Sequence, residues 1–433
     1  MVSSTMEAEG LIYNVKLSSI GPGNVTAPDS IFEPENMDLA MKLHYLRCIY
    51  YFGSKAFEGL TPLVIKEPMF MWLNQFPVSC GRLRRSESGR PYIKCNDCGV
   101  RFIEAKCHKT LEEWLEIKDD SHEKPLVSTQ IIGPELSFSP LVLIQLTKFK
   151  CGGTAVGLSW AHVLGDAFSA AEFMKQLGKT VADNAPGRPI ALAQSLTKSA
   201  SPNDQPRDAE DPLSIKRVGP VGDNWIKATE CNMNTFSFNI SGTQLSHLQS
   251  KLSRKGVEFS SFEALSAVIW QCIANIRGRG TGPKVATICE KGKKNETEGT
   301  LSNSLNVSVV KAEFPVEEAT PTELATLLKT RASDERKKID EIIEKEQGLP
   351  DFIIYGANLS FVNIEEGNFY EFEYRGQKPV SFSLRIDGVG EEGAILVLPG
   401  DKNVREGRKV TAILPEKEIQ EFKEELKREG LLA

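Results

Sequence analysis

Several short segments of the chain alternate apolar and polar residues with the two-residue period of a β-strand. They are bounded by Gly, Asn, Asp and other turn-forming residues, as strands of a globular domain usually are. Leu141–Phe149 and Thr154–Trp160 are joined by Cys151-Gly152-Gly153 and predict a hairpin. The other predicted strands are residues 11–20, two within 91–105, 235–240 and two within 376–399.

Other segments repeat their apolar residues with the helical period of 3.6. Ser260 or Ser261 caps one of them, and Thr320-Pro321-Thr322-Glu323 has the spacing of a capping box with Pro in the first turn. Residues 37–52 form the first of these segments, and their aromatic end also fits a strand. This mixture of strands and helices predicts a mixed α/β fold built from sandwich-type domains, α+β or α/β. The predicted helices are residues 37–52, 168–181, 260–276, about 322–345 and 415–429.

A segment poor in periodicity divides the chain. Residues 184–222 are rich in Pro, Ser, Asp and Gly, which is typical of a connection between domains. We therefore predict an N-terminal domain over residues 1–190, a crossover linker over 191–222 and a C-terminal domain over 223–433.

Composition narrows the class of protein. The 433 residues are 40% apolar and 25% charged, which is ordinary for globular domains. The formal net charge of −6 makes nucleic acid an unfavourable partner, since phosphate binding needs basic residues. Nine irregularly spaced cysteines favour reduced thiols in a cytosol-like compartment. We expect neither a secretory signal nor a membrane-spanning helix, so a partner would bring the protein to any membrane.

Two familiar motifs lack the context that their chemistry requires. Gly388–Gly393 matches G-x-G-x-x-G but is followed by a strand and carries two glutamates, so we predict a hairpin turn instead of a dinucleotide site. Cys95-Asn96-Asp97-Cys98 is a single C-x-x-C, and we predict a turn between strands and no metal site.

Candidate chemistry is concentrated at Ser159-Trp160-Ala161-His162-Val163-Leu164-Gly165-Asp166-Ala167. A predicted strand ends at His162 and a predicted helix begins just after Asp166. Imidazole is a suitable general base near neutral pH, and a carboxylate four residues on could brace the turn or orient the ring. Spacing alone favours the simpler alternative, a packed histidine followed by a helix-capping aspartate.

These residues resemble a family. SWAHVLGDAFSAAEFM is similar to the H-x-x-x-D-G region of the plant BAHD acyltransferases, and the resemblance extends over nearly the whole chain. GRPYIKCNDCGVRFIEA resembles the N-terminal strand pair of that family, and SSFEALSAVIWQCIANIRG resembles a helix of its C-terminal domain. Within the family, MDLAMKLHYLRCIYYF, LSFSPLV, KFKCGG, GLSWAHVLGD and YGANLSFVN most resemble the eceriferum-type (glossy-type) wax proteins.

The resemblance implies two chloramphenicol-acetyltransferase-like domains with a channel between them. His162 would lie in the channel as general base, and Asp166 would hold the turn through an arginine. Eceriferum-type members are associated with elongation of very-long-chain acyl-CoA beyond about C28 for cuticular wax. They work with the condensing enzyme of the elongase, a 3-ketoacyl-CoA synthase. The implied location is cytoplasmic, at the cytosolic face of the endoplasmic reticulum through that partner, with the nucleus as a further location.

Three departures from the enzymatic pattern favour an accessory role. Ala167 replaces the glycine that follows the aspartate, Glu373–Pro379 replaces D-F-G-W-G-K-P, and Glu290–Lys293 replaces the Asp-x-Arg that supplies the arginine. A lysine lacks the planar bidentate fork of arginine, so the expected brace on Asp166 is weakened. The alternative is an acyl-CoA-dependent O- or N-acyltransferase that uses His162 as general base. Neither hypothesis requires a cofactor. Acyl-CoA would bind as a substrate or as a ligand.

Overall fold

The structure, a computed structural model, describes residues 10–117, 120–183, 211–227, 231–253, 257–278, 280, 282–292, 301–401 and 406–432. Most of the predicted linker, residues 191–210, lies outside these ranges. The strands are β1 (Ile12–Ile20), β2 (Ile31–Phe32), β3 (Tyr45–Phe52), β4 (Arg82–Arg85), β5 (Pro91–Lys94), β6 (Val100–Cys107), β7 (Val142–Lys148), β8 (Thr154–Ala161), β9 (Lys216–Arg217), β10 (Met233–Ile240), β11 (Val285–Lys291), β12 (Leu305–Lys311), β13 (Ser333–Asp334), β14 (Phe352–Ile353), β15 (Leu359–Asn363), β16 (Ser381–Asp387), β17 (Ala394–Pro399) and β18 (Arg408–Pro415).

The helices lie between these strands. Two of them begin at the capping residues that the sequence predicted. The Ser260 side chain accepts a hydrogen bond from the Glu263 N–H, and Thr320 caps its helix in the same way. The helices are α1 (Asn36–Ala40), α2 (Ser54–Phe57), α3 (Pro62–Leu73), α4 (Leu111–Leu115), α5 (Ala167–Asp183), α6 (Gly242–Leu252), α7 (Ser261–Arg277), α8 (Pro321–Thr330), α9 (Arg336–Lys345) and α10 (Ile419–Arg428).

Two large sheets organise the chain. The first has six strands in the order β1-β6-β7-β8-β3-β16, and the second has seven in the order β10-β18-β17-β15-β11-β12-β13. Both are mixed, because β6 and β7 are parallel in the first, and β15 is parallel to β11 and β17 in the second. Strand β16 comes from the predicted C-terminal domain but completes the sheet of the N-terminal one. The predicted domain boundaries themselves stay a prediction.

The hairpin predicted between residues 141 and 160 is confirmed as β7 and β8, paired from Val142–Trp160 to Lys148–Thr154. Its second strand is buried along its whole length, on both faces of the sheet. One neighbour of β8 is β7 and the other is β3. This central position places the end of β8, and therefore His162, in the interior of the molecule.

The predicted helix over residues 37–52 is wrong beyond its first turn. Only Asn36–Ala40 is helical, and Tyr45–Phe52 is the fully buried strand β3. Because both faces of β3 are covered, its residues show no apolar–polar alternation, and an unbroken apolar run does not distinguish a helix from a buried strand. The aromatic residues of Tyr45–Phe52 were the correct signal.

The long helix predicted to reach Lys345 is also wrong, because the chain forms two helices with a short strand between them. Strand β13 pairs with β12, and the N–H of Glu335 donates to the carbonyl of Val307. Asp334 then accepts a hydrogen bond from the N–H of Arg336 as α9 begins. Each helix buries its own apolar face, which includes Leu324 on α8 and Ile339 on α9.

The prediction of a hairpin turn at Gly388–Gly393 is wrong. The strands predicted before and after this segment, on which the exclusion of a dinucleotide site was based, are both present. The segment connects two strands, but β16 pairs with β3 while β17 pairs with β15 and β18. The glycines allow the chain to pass close to other backbone: a Cβ on Gly388 would lie 2.2 Å from the carbonyl oxygen of Leu43. The segment is therefore a crossing between the two sheets.

Candidate functional site

A tight turn follows β8 and holds the predicted site residues. His162–Leu164 form a single 3₁₀ turn, and α5 begins at Ala167. Gly165 between them has a φ of +141°, and a Cβ there would lie 2.7 Å from the Cβ of Ser169. Only glycine fits this position without displacing α5. The Trp160 Nε1–H donates to the Gly165 carbonyl at 2.9 Å and closes the turn.

The imidazole of His162 is enclosed and already hydrogen-bonded. Its side chain has no solvent exposure, and its Nε2 lies 3.1 Å from the hydroxyl of Tyr355, which is also buried. Burial lowers the pKa of His162 from 6.5 to about 4, so the ring is neutral at pH 7. Burial also raises the pKa of Tyr355 well above 10, so the hydroxyl keeps its proton. The contact is a hydrogen bond between two neutral groups.

A second histidine lies beside the first. The His44 ring is 4.9 Å from the Tyr355 ring and 6.3 Å from the His162 ring, centroid to centroid. Its Nε2 accepts a hydrogen bond from the N–H of Ile354 at 3.1 Å, so the neutral ring carries its proton on Nδ1. Burial, and then the neighbouring His162, lower the pKa of His44 well below 6.5. The His44 carbonyl accepts from the N–H of His162 and so fixes where β8 ends.

Asn303 connects the turn to α1. Its Nδ2 donates to the carbonyl of His162 at 2.9 Å and to Oδ1 of Asp38 at 2.8 Å. Asp38 also accepts from the N–H of Glu35 within a capping box. Burial raises the pKa of Asp38 to about 7. The amide thus fixes the backbone of His162, not its ring.

Asp166 does not contact the imidazole. Its Oδ1 accepts from the backbone N–H groups of Phe168 and Ser169, which caps α5. Its Oδ2 accepts from the N–H and the hydroxyl of Ser304, each at 2.9 Å. Burial raises the pKa of Asp166, and the hydrogen bonds from Ser169 and Ser304 act in the opposite direction. The carboxylate therefore joins α5 to the segment that precedes β12.

The three departures from the enzymatic pattern have different structural consequences. Ala167 begins α5, where alanine is a favourable helix residue. Ser304 takes part in the brace that an arginine was expected to supply; Lys293 lies outside the described residues. Glu373–Pro379 contains a tight turn in which Tyr374 stacks on Phe57, with centroids 4.4 Å apart. This loop packs on α5, since a Cβ on Gly178 would lie 2.3 Å from the carbonyl of Glu373.

The sequence motif predicts the turn but not the groups that surround it. His162 and Asp166 do not contact each other: His162 contacts Tyr355, and Asp166 contacts backbone N–H groups and the Ser304 hydroxyl. His44 and Tyr355 lie in MDLAMKLHYLRCIYYF and YGANLSFVN, the motifs that carry the family resemblance. An aromatic hydroxyl and an imidazole within those motifs were the available signal.

Comparison with known proteins gives the family. Residues 35–429 match the Transferase family. The chain belongs to the BAHD transferase family. It is 39% identical to Protein ECERIFERUM 26-like of Arabidopsis thaliana over 98% of each chain, and 38% identical to Protein ECERIFERUM 2 of the same plant over 96% of this chain and 98% of that one. A Hydroxycinnamoyltransferase of Narcissus pseudonarcissus is 25% identical over 71% of this chain and 72% of its own.

The fold agrees with that family. The crystal structure of vinorine synthase superposes with a TM-score of 0.72 over 98% of both chains, at 16% identity. The predicted mixed α/β, chloramphenicol-acetyltransferase-like fold is confirmed, as is the resemblance to the eceriferum-type members. The channel between domains stays a prediction. In the described residues, no cluster of His, Cys, Asp and Glu is suited to a metal ion, and no helix has the length and apolarity to cross a membrane.

Proposed function

We propose that this BAHD protein acts in cuticular wax biosynthesis as an accessory protein of very-long-chain fatty acid elongation, not as an acyltransferase. It would bind the condensing enzyme of the elongase and extend acyl-CoA beyond about C28. The observation that carries the non-catalytic part is the hydrogen bond between Nε2 of His162 and the Tyr355 hydroxyl in a site without solvent exposure.

Acyl transfer by His162 would require a free lone pair within hydrogen-bond reach of an acceptor hydroxyl or amine. The Tyr355 hydroxyl occupies the position at which Nε2 would meet that acceptor. A pKa of about 4 also makes the ring a weak base at neutral pH, whereas a general base is most effective when its pKa lies near the working pH. The arrangement favours a structural role for His162 at the end of β8.

The role in wax biosynthesis is supported by the relatives. Identity to the two ECERIFERUM proteins is 38–39% over nearly the whole chain, whereas identity to the Hydroxycinnamoyltransferase is 25% over about seven-tenths of it. We infer the partner, a 3-ketoacyl-CoA synthase, and the location at the cytosolic face of the endoplasmic reticulum, with the nucleus as a further location, from the eceriferum-type resemblance. Acyl-CoA would be a ligand shared with that partner.

Co-expression in yeast tests the proposal. The full chain is expressed with a plant condensing enzyme, and the acyl chains are compared with those made by the condensing enzyme alone. We expect longer chains with the wild-type protein and with His162→Ala at equal protein abundance. Loss of chain extension by a folded His162→Ala variant would overturn the non-catalytic part, and absence of extension by the wild type with every condensing enzyme tried would overturn the elongation part.

A second assay addresses the alternative, acyl-CoA-dependent transfer with His162 as general base. Purified protein is incubated with acyl-CoA and fatty alcohols while free thiol is measured. Under our proposal, thiol release does not depend on the alcohol. Sustained release that requires both the alcohol and His162 would establish the acyltransferase instead.

A further inference from the structure

A second site lies at the opposite end of the first sheet from His162. There the sheet and the segment from α2 to α3 enclose a cleft of about 690 Å³, a size typical of small-molecule sites. Thr154 at the start of β8 lines it, while His162 follows the other end of the same strand. Strand β8, the eight residues Thr154–Ala161, spans about 23 Å between the two places.

The inner part of the cleft is apolar. Phe57 and Ile65 are buried, and Leu60 and Leu146 are half-buried. These side chains come from two helices, the loop between them and strand β7. They form a floor that suits a hydrocarbon chain.

The mouth of the cleft carries exposed lysines. Lys106 and Lys148 are directly paired across β6 and β7, and both are exposed. Lys16 and Lys150 also line the cleft, and none of the four makes an ion pair within the described part of the chain. The carboxylate of Glu104, which lines the same cleft, is paired with Lys66 at 2.6 Å.

Like charges directly opposite each other in a sheet are destabilising. The two positive charges of Lys106 and Lys148 therefore repel each other, and an anion bound between them would relieve that repulsion. Because the two lysines lie beside apolar side chains of the same cleft, the anion that fits best also has an apolar part. The charged end would contact the lysines, and the remainder of the molecule would be a hydrocarbon chain.

We propose that this cleft binds a single-chain anionic lipid, with its carboxylate or phosphate on Lys106 and Lys148 and its chain along Phe57, Leu60 and Ile65. The site is separate from the turn at His162 and does not depend on the proposed function. Carboxylate and phosphate share the required chemistry, so both head groups are tested.

Calorimetric titration of the full chain with dodecyl phosphate and with laurate tests the proposal. Dodecanol is the control that has the hydrocarbon chain but no charge. Inorganic phosphate is the control that has the charge but no chain. We expect at least one of the two anionic lipids to bind and both controls to bind at least about tenfold more weakly, since a charged hydrogen bond and a buried hydrocarbon chain each contribute more than that factor. Equal binding of dodecanol or of inorganic phosphate would overturn the proposal.

Variants locate the site. Lys106→Gln/Lys148→Gln should weaken lipid binding by about tenfold per lysine and should not lower the melting temperature of the free protein, because it removes a repulsion. Lys311→Gln/Lys345→Gln changes the net charge equally at exposed positions outside the cleft and should bind normally, as should His162→Ala. Equal affinity of the two double variants, loss of binding in His162→Ala, or binding to anionic vesicles without binding to the single-chain lipids would contradict the assignment.

Discussion

The hydroxyl of Tyr355 lies 3.1 Å from Nε2 of His162, although 193 positions separate the two residues in the chain. Tyr355→Phe would remove this partner and leave Nε2 buried without a hydrogen bond to a described residue. We expect the free energy of unfolding to fall by about 1–3 kcal/mol, the cost of an unsatisfied buried polar atom. Denaturant unfolding measures the change, and chain extension in yeast should persist.

Tyr50 provides the matched control for this variant. It is fully buried, but its hydroxyl makes no hydrogen bond to a described residue. Tyr50→Phe should therefore leave the free energy of unfolding unchanged or increase it. If the two variants lose the same stability, the Tyr355–His162 hydrogen bond does not contribute as inferred.

The lowered pKa of His162 predicts a pH dependence of stability. In the unfolded chain the ring takes a proton below pH 6.5, whereas in the folded protein it does so only near pH 4. Between these values the unfolded state binds more protons, so stability is lost as the pH falls. The contribution of His162 at pH 5 is a loss of about 2 kcal/mol relative to pH 7.

The measurement compares unfolding of the wild type and of His162→Asn at pH 7 and pH 5. The variant should lose less stability on acidification, by about 2 kcal/mol. His44, whose pKa is lowered by burial first and by His162 second, remains in the variant and keeps part of the acid sensitivity. Identical pH dependence in both proteins would show that His162 is not held neutral by burial.

Asp166 should matter for folding more than for chemistry. Asp166→Ala would leave the N–H groups of Phe168, Ser169 and Ser304, and the Ser304 hydroxyl, without their acceptor. We expect a loss of about 3–5 kcal/mol in unfolding free energy, comparable to breaking a buried charged contact. Ser304→Ala keeps the backbone donor and should lose about 1 kcal/mol. Thermal unfolding separates the two, and a smaller loss in Asp166→Ala than in Ser304→Ala would contradict the brace.

Sequence patterns were informative where the signal is local. The hairpin of β7 and β8 and the start of α7 after Ser260 followed from alternation, turn residues and capping, all within a few positions. The pattern left residues 45–52, strand β3, open between helix and strand because burial on both faces removes the alternation. The partner of β16 was missed for another reason: alternation identifies a strand but not the strand with which it pairs.

The candidate site shows the same division. The family motif located His162 and Asp166 from adjacent residues. The groups that determine their chemistry come from distant segments: Asn303 is 141 positions from His162, and Tyr355 is 193. Their approach depends on how the two sheets pack together, and no periodicity within one segment contains that information.

A buried ion pair provides a further prediction. Lys42 Nζ lies 2.9 Å from Oδ1 of Asp351, with both side chains less than a tenth exposed. The other carboxylate oxygen of Asp351 accepts from the N–H of Val221, so the pair joins the segment before β3 to the end of the predicted linker. Removing one partner leaves the other charge buried and should lower the unfolding free energy by about 3–5 kcal/mol.

A double-mutant cycle with Lys42→Met and Asp351→Asn isolates the interaction. The double variant should be more stable than the sum of the single losses predicts, by about 1–3 kcal/mol, because it leaves no unpaired charge. The exposed pair Lys337–Glu341, 3.5 Å apart on α9, serves as control, and its coupling should stay below about 1 kcal/mol. Equal coupling at the two pairs would mean that burial does not strengthen the contact between Lys42 and Asp351.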